Sequence, residues 1–122
     1  MPKKQKPNDI FQKGSKLAKE KAFFLGKTGE YGTVSKLARI GIDSYLTKGN
    51  KKTFDIVAVG NNRSITIQVK TSKELTFPTR FFQKYYDYSF STPDFWVFVH
   101  SFAEKDYNYK EDFYVLTHEE LK

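Results

Sequence analysis

The sequence predicts an α/β domain, a mixed β-sheet covered by helices. Three observations carry that reading. Apolar residues recur at helical spacing up to Gly41, and the period then changes. Two strongly patterned strand segments flank the turn-forming run Gly60-Asn61-Asn62-Arg63. The whole order reads helix, strands, helix, strand, strand and a helix start, which suits one sheet with helices packed on it.

Taken in order, residues 1–8 read as a flexible basic arm and residues 9–122 as one domain. Asp9 with Gln12 matches a capping box and opens a helix over about 10–24, with Leu17, Ala18, Phe24 and Leu25 as its apolar side. Gly26-Lys27-Thr28-Gly29 breaks the pattern, and Thr28 caps a second helix over about 29–40. Tyr31, Val34, Leu37 and Ala38 form one face of that helix, Glu30 lies in its first turn, and Gly41 stops it. Residues 42–47 suit a first strand and 48–52 a polar turn. Residues 54–59 and 64–70 are the two strong strands, joined as an antiparallel hairpin. In the second, Ile65, Ile67 and Val69 point one way, and Ser64, Thr66, Gln68 and Lys70 the other. A short helix is expected from 78 to about 88, where Phe81 and Tyr85, and Phe82 and Tyr86, stand four apart. Residues 95–100 read as a buried strand, 101–111 as a polar loop and 112–116 as a last strand. Thr117 and Glu120 make a second capping box. The chain stops a few residues into that helix, so it is either a shortened form or the natural protein continues; both stay open.

The hairpin holds the residues with chemical potential. It brings the start of one strand beside the end of the next, so Asp55, Gln68 and Lys70 approach one another across a gap of 13 residues from Asp55 to Gln68. Asp55 offers a hard carboxylate oxygen to Mg²⁺ or Mn²⁺, and the Gln68 amide oxygen and the Val69 carbonyl add neutral ligands. Lys70 would orient the attacking water or stabilise charge on a phosphate. Glu30 would join the metal shell from its helix. The competing reading leaves Gln68 and Lys70 on a solvated sheet face and Asp55 as a turn cap.

Gly29-Glu30, Phe54-Asp55-Ile56 and Ile67-Gln68-Val69-Lys70-Thr71-Ser72 together resemble the PD-(D/E)XK, or restriction-endonuclease-like, nuclease superfamily. The resemblance spans roughly residues 28–72. It implies a restriction-endonuclease-like mixed sheet flanked by helices. It also implies Mg²⁺-dependent hydrolysis of DNA phosphodiester bonds, of the resolvase, restriction or repair kind. Glu30 matches the helix glutamate, Asp55 the metal-binding aspartate and Lys70 the catalytic lysine. Gln68 departs from the usual acid and looks like the Gln-x-Lys variant of restriction enzymes that act on methylated DNA. The exchange removes one negative charge from the metal shell. The alternative is therefore a catalytically weak or inactive domain of the same fold that binds DNA or a protein partner.

Composition bounds the rest. The formal charge is +7, from 21 Lys and Arg against 14 Asp and Glu, which favours a polyanionic partner such as DNA. Residues 1–27 hold eight lysines, opposed by Asp9 and Glu20. No run approaches the ~20 apolar residues of a membrane span, and cysteine is absent, so the cytoplasm is the expected location. The nine aromatics between Phe77 and Trp96 read mainly as core material, or else as a surface for a larger defence or repair assembly. Cutting both DNA strands with so small a domain calls for a homodimer. His100 and His118 match no metal spacing, and no phosphate-binding GxxxxGK[ST] loop is present. Arg80 and Lys84 share a helix face that either meets phosphates or is simply solvated.

Overall fold

A computed structural model of the chain describes residues 14–47, 54–77, 92–105 and 108–121. The basic arm, the first capping box, the turn at 48–52, and the helix at 78–88 with Arg80 and Lys84 lie outside those residues. The fold is a mixed five-stranded sheet flanked by two helices. Helix α1 (Gly14–Arg39) precedes strands β1 (Asp43–Leu46), β2 (Ile56–Gly60), β3 (Arg63–Ser72), β4 (Phe95–Lys105) and β5 (Asn108–Thr117), and α2 (His118–Leu121) follows. The strands lie in sequence order, antiparallel except for the parallel pair β3 and β4.

One helix stands where two were expected. The chain runs helically through Gly26-Lys27-Thr28-Gly29, at a propensity cost of up to about 1 kcal/mol per glycine. Thr28 caps nothing; its Oγ1 donates 2.9 Å to the Phe24 carbonyl one turn back. Gly29 is retained by packing, since a Cβ there would run into Thr71 Oγ1 on β3 and sit 3.1 Å from Thr71 Cβ. A single helix also resets the facing of its side chains. Val34 and Leu37 reach the core, whereas Tyr31 and Phe24 are exposed. The stop at Gly41 holds: its φ is +85°, Gly41 N donates 3.0 Å to Ala38 O and Ile42 N donates 2.9 Å to Leu37 O. That pair of bonds is a Schellman motif.

The β2–β3 hairpin turns on Asn61 and Asn62, with φ of 50° and 60°. Asparagine tolerates this left-handed region, and the two-residue turn matches the twist of the strands. Ile56 then pairs with Ile67 and Gly60 with Arg63. The parallel register of β4 on β3 is pinned by Asp94, whose Oδ2 accepts 2.9 Å from Thr66 N while its own N–H donates 3.0 Å to Thr66 O.

Strand alternation divides the interior between the two faces of the sheet. On the α1 face Ile56, Ala58, Ile67, Val69, Val97 and Val99 are buried against Val34 and Leu37. Complete burial of an aliphatic side chain contributes about 1.5–3 kcal/mol. On the opposite face Trp96 and Phe98 pack with Phe77, Leu116 and Leu121. Trp96 Nε1 donates 3.1 Å to His118 Nδ1, so this histidine serves the core, and His100 Nε2 lies 3.0 Å from Lys73 O.

Residues 101–111, expected as a loop, mostly extend strands β4 and β5. Their polar alternation fits a two-stranded arm; the register shifts between Ala103 and Lys105. The second capping box forms as expected: Thr117 N donates 3.0 Å to Glu120 Oε1 and Glu120 N donates 3.1 Å to Thr117 Oγ1. The hydrogen bonds from Thr117 hold the Glu120 carboxyl below its ordinary pKa.

Candidate functional site

Asp55 is the fixed point of the site. It lies just before β2 rather than within it. Its N–H donates 2.8 Å to Ile67 O, and its carbonyl accepts 2.9 Å from Thr47 N at the end of β1. With the backbone tied on both sides, the carboxylate reaches along the sheet and Oδ2 accepts 2.9 Å from Val69 N. The side chain thus continues the ladder where the paired residues of β2 have ended. A strand residue sends its N–H and C=O to the same side, so the Val69 carbonyl opens onto this edge as well.

Glu30 approaches from α1. Helix continuity places it in mid-helix, not in a first turn, so the dipole of a helix start does not act on it. Its side chain is 18% exposed and its Oε1 lies 3.4 Å from Lys27 Nζ. Burial raises its pKa above the ordinary 4.5, and the negative charge of Asp55 raises it further; Lys27 opposes both. The two carboxylates are therefore close enough to repel, and ionised together they favour any cation between them.

Gln68 and Lys70 leave β3 on the other side. Their register partners on β4 are Trp96 and Phe98, which belong to the cluster on the face away from α1. The structure thus joins Asp55 to Val69 by a hydrogen bond and brings Glu30 within electrostatic reach of Asp55. Gln68 and Lys70 share a face on either side of Val69, flanking the Asp55 edge. Lys70 is half-buried. Gln68 is 6% exposed and its Oε1 has no hydrogen-bond partner among the described residues, a condition that costs roughly 1–3 kcal/mol and marks an acceptor suited to a ligand or water. Among the described residues no three His, Cys, Asp or Glu side chains gather as a metal cluster. The acidic complement is Glu30 and Asp55, two hard oxygen donors that fit Mg²⁺ or Mn²⁺, with the Val69 carbonyl as a neutral oxygen beside Asp55; the Gln68 amide leaves β3 on the opposite face.

Two supporting residues escaped the sequence reading. Thr47 orients Asp55 through its backbone, and Thr71 packs under Gly29 and sets the depth at which α1 carries Glu30. The one available signal was position: Thr71 directly follows Lys70, and Gly29 directly precedes Glu30. Among the described residues no helix is long and apolar enough to cross a membrane. In comparisons with known proteins, no family model matches this chain and no curated protein matches it.

Proposed function

We propose that this chain is a restriction-endonuclease-like DNA-binding domain whose phosphodiester chemistry is weak or absent. The observation that carries the reading is the donor set. Two carboxylates, Glu30 and Asp55, act on each other electrostatically at the start of β2, and an amide, Gln68, stands where the motif it resembles has a third acid. A site with one fewer negative charge holds a divalent cation more weakly. The excess of cationic side chains supplies the nonspecific attraction to a phosphate backbone.

Glu30, Asp55 and the Val69 carbonyl would hold the cation, with Gln68 as a neutral contributor. When bound, it would polarise a phosphoryl oxygen. Asp55 keeps its place through the Val69 and Ile67 bonds. Lys70 would stabilise negative charge on the phosphate. Lys27, held against Glu30, would offset the charge of that carboxylate in the cation's absence.

A second reading, a Mg²⁺-dependent endonuclease, is favoured by the mutual repulsion of Glu30 and Asp55, an arrangement more common at working sites than on inert surfaces. One experiment separates the two. Purified protein is mixed with duplex, nicked, branched and methylated DNA, with Mg²⁺ or Mn²⁺. Salt-sensitive binding without cleavage, unchanged in Asp55→Asn, supports the first reading. Metal-dependent cleavage that disappears in both Asp55→Asn and Lys70→Ala establishes the second. Absence of binding at low salt refutes both.

A further inference from the structure

The N-terminal half of α1 carries an exposed aromatic surface that the core does not use. Phe23, Phe24 and Tyr31 are 60%, 62% and 60% exposed. On a helix of 3.6 residues per turn, Phe23, Phe24, Lys27 and Tyr31 fall on one contiguous flank. Val34 and Leu37 further along the helix are the residues that pack on the core. The rings of Phe23 and Phe24 meet edge to face, with centroids 5.4 Å apart at 76°. They are not stacked on each other, so ring faces remain available. Lys27 Nζ stands 5.5 Å from the Phe23 ring centroid and also pairs with Glu30. One patch therefore combines flat apolar rings and a cation, and it runs directly into the Glu30–Asp55 pair. Seven residues separate Phe23 from Glu30, a rise of about 10 Å along the helix.

Charge and shape point to the occupant. Among the described residues, the large apolar side chains exposed on this flank are Phe23, Phe24 and Tyr31. The segment around them is basic, with eight lysines in residues 1–27. Rings with interleaved lysines suit unpaired bases on a phosphate backbone, since every base has a π-face and every nucleotide an anion.

We propose that Phe23 and Phe24, with Lys27 beside them, stack the unpaired bases of single-stranded DNA and so direct the domain to single-stranded segments. The proposal rests on the DNA-binding reading and names its substrate class. Fluorescence anisotropy in a chelating buffer tests it with three probes of equal length: oligothymidine, an abasic deoxyribose-phosphate strand and a duplex. Wild type should bind oligothymidine more tightly than the abasic strand. Phe23→Ala with Phe24→Ala should weaken oligothymidine binding roughly tenfold or more and leave the abasic strand nearly unchanged. Phe23→Trp with Phe24→Trp should restore it. Equal binding of the base-bearing and abasic strands, or no loss in the double alanine variant, overturns the proposal while salt-sensitive DNA binding keeps the parent reading intact. Absence of binding to all three probes overturns both. Sedimentation is the last check: a wild-type dimer that the double alanine variant dissociates assigns the patch to a second copy of the chain and overturns the proposal.

Discussion

Asp55 has a structural task and a chemical one, and they can be separated. Its Oδ2 satisfies the N–H of Val69, a residue 7% exposed in the core between sheet and helix. Asp55→Ala leaves that donor unpaired and should cost about 1–3 kcal/mol in urea unfolding. Asp55→Asn keeps an oxygen acceptor and should cost clearly less, while removing the charge that acts on Glu30. A loss of activity in the alanine variant alone would thus say little about catalysis; the asparagine variant is the cleaner probe. Equal destabilisation by both would refute this account of the Val69 bond. Glu30 carries the complementary pH signature. Its folded pKa lies above the ordinary 4.5, mainly through burial and then through Asp55. From 4.5 upward to the raised value the folded chain holds a proton that the unfolded chain has released. Stability should therefore fall as pH rises through that window, with the full penalty present above it. Glu30→Gln should flatten this dependence in unfolding curves recorded across the window. Divalent-ion affinity, followed by calorimetry, should rise over the same interval as the proton leaves.

Two elements determine how the site is assembled, α1 and β3, and they meet at Gly29 over Thr71. Gly29→Ala tests which force governs there. Helix propensity alone favours alanine by up to about 1 kcal/mol. The added methyl meets Thr71 Oγ1, and overpacking of this kind costs about 1–3 kcal/mol. Packing should win, so the variant should unfold at lower denaturant. Adding Thr71→Ala removes the colliding oxygen and should recover part of the stability. A stabilised Gly29→Ala variant would mean that α1 sits farther from the sheet than this junction indicates, and that Glu30 is less tightly placed. The two-residue Asn61-Asn62 turn acts at the same scale. It sets the β2–β3 register, and with it the alignment of Asp55 against Val69.

Over the whole molecule, charge is the property that acts at a distance. On the DNA-binding reading, the logarithm of affinity falls linearly with the logarithm of salt concentration. Replacing Lys21 and Lys27 with alanine should then reduce the slope by about 0.9 for each phosphate that is no longer neutralised. A slope unchanged in these variants would place the binding surface away from α1. The sheet separates the roles by face. One face is covered by α1 and carries Glu30 toward the edge; the other holds Gln68 and Lys70 beside the Trp96–Phe98 cluster. Asp55 lies at the boundary between them.

Much of the architecture followed from local chemistry. The Asn61-Asn62 turn, the alternation of Ile65, Ile67 and Val69, the apolar run of β4, the Gly41 stop and the Thr117–Glu120 capping box all depend on near neighbours in the chain, so they were legible in order. Asp55, Gln68 and Lys70 drew attention for the same reason, as neighbours on a hairpin, and Glu30 as a carboxylate on the preceding helix. What the chain order could not decide was every contact whose energy comes from a distant segment. The close approach of α1 to β3 at Gly29 depends on Thr71, some forty positions away, a contact that no local pattern records. The parallel pairing of β4 on β3 is held by Asp94 on Thr66, a bond between residues 28 apart. The position of Asp55 in the plane of the sheet, with Glu30 on the helix side and Gln68 and Lys70 on the other, arises only when three strands and a helix close around it. Periodicity records which residues are buried; only the folded chain brings their charges within reach of one another.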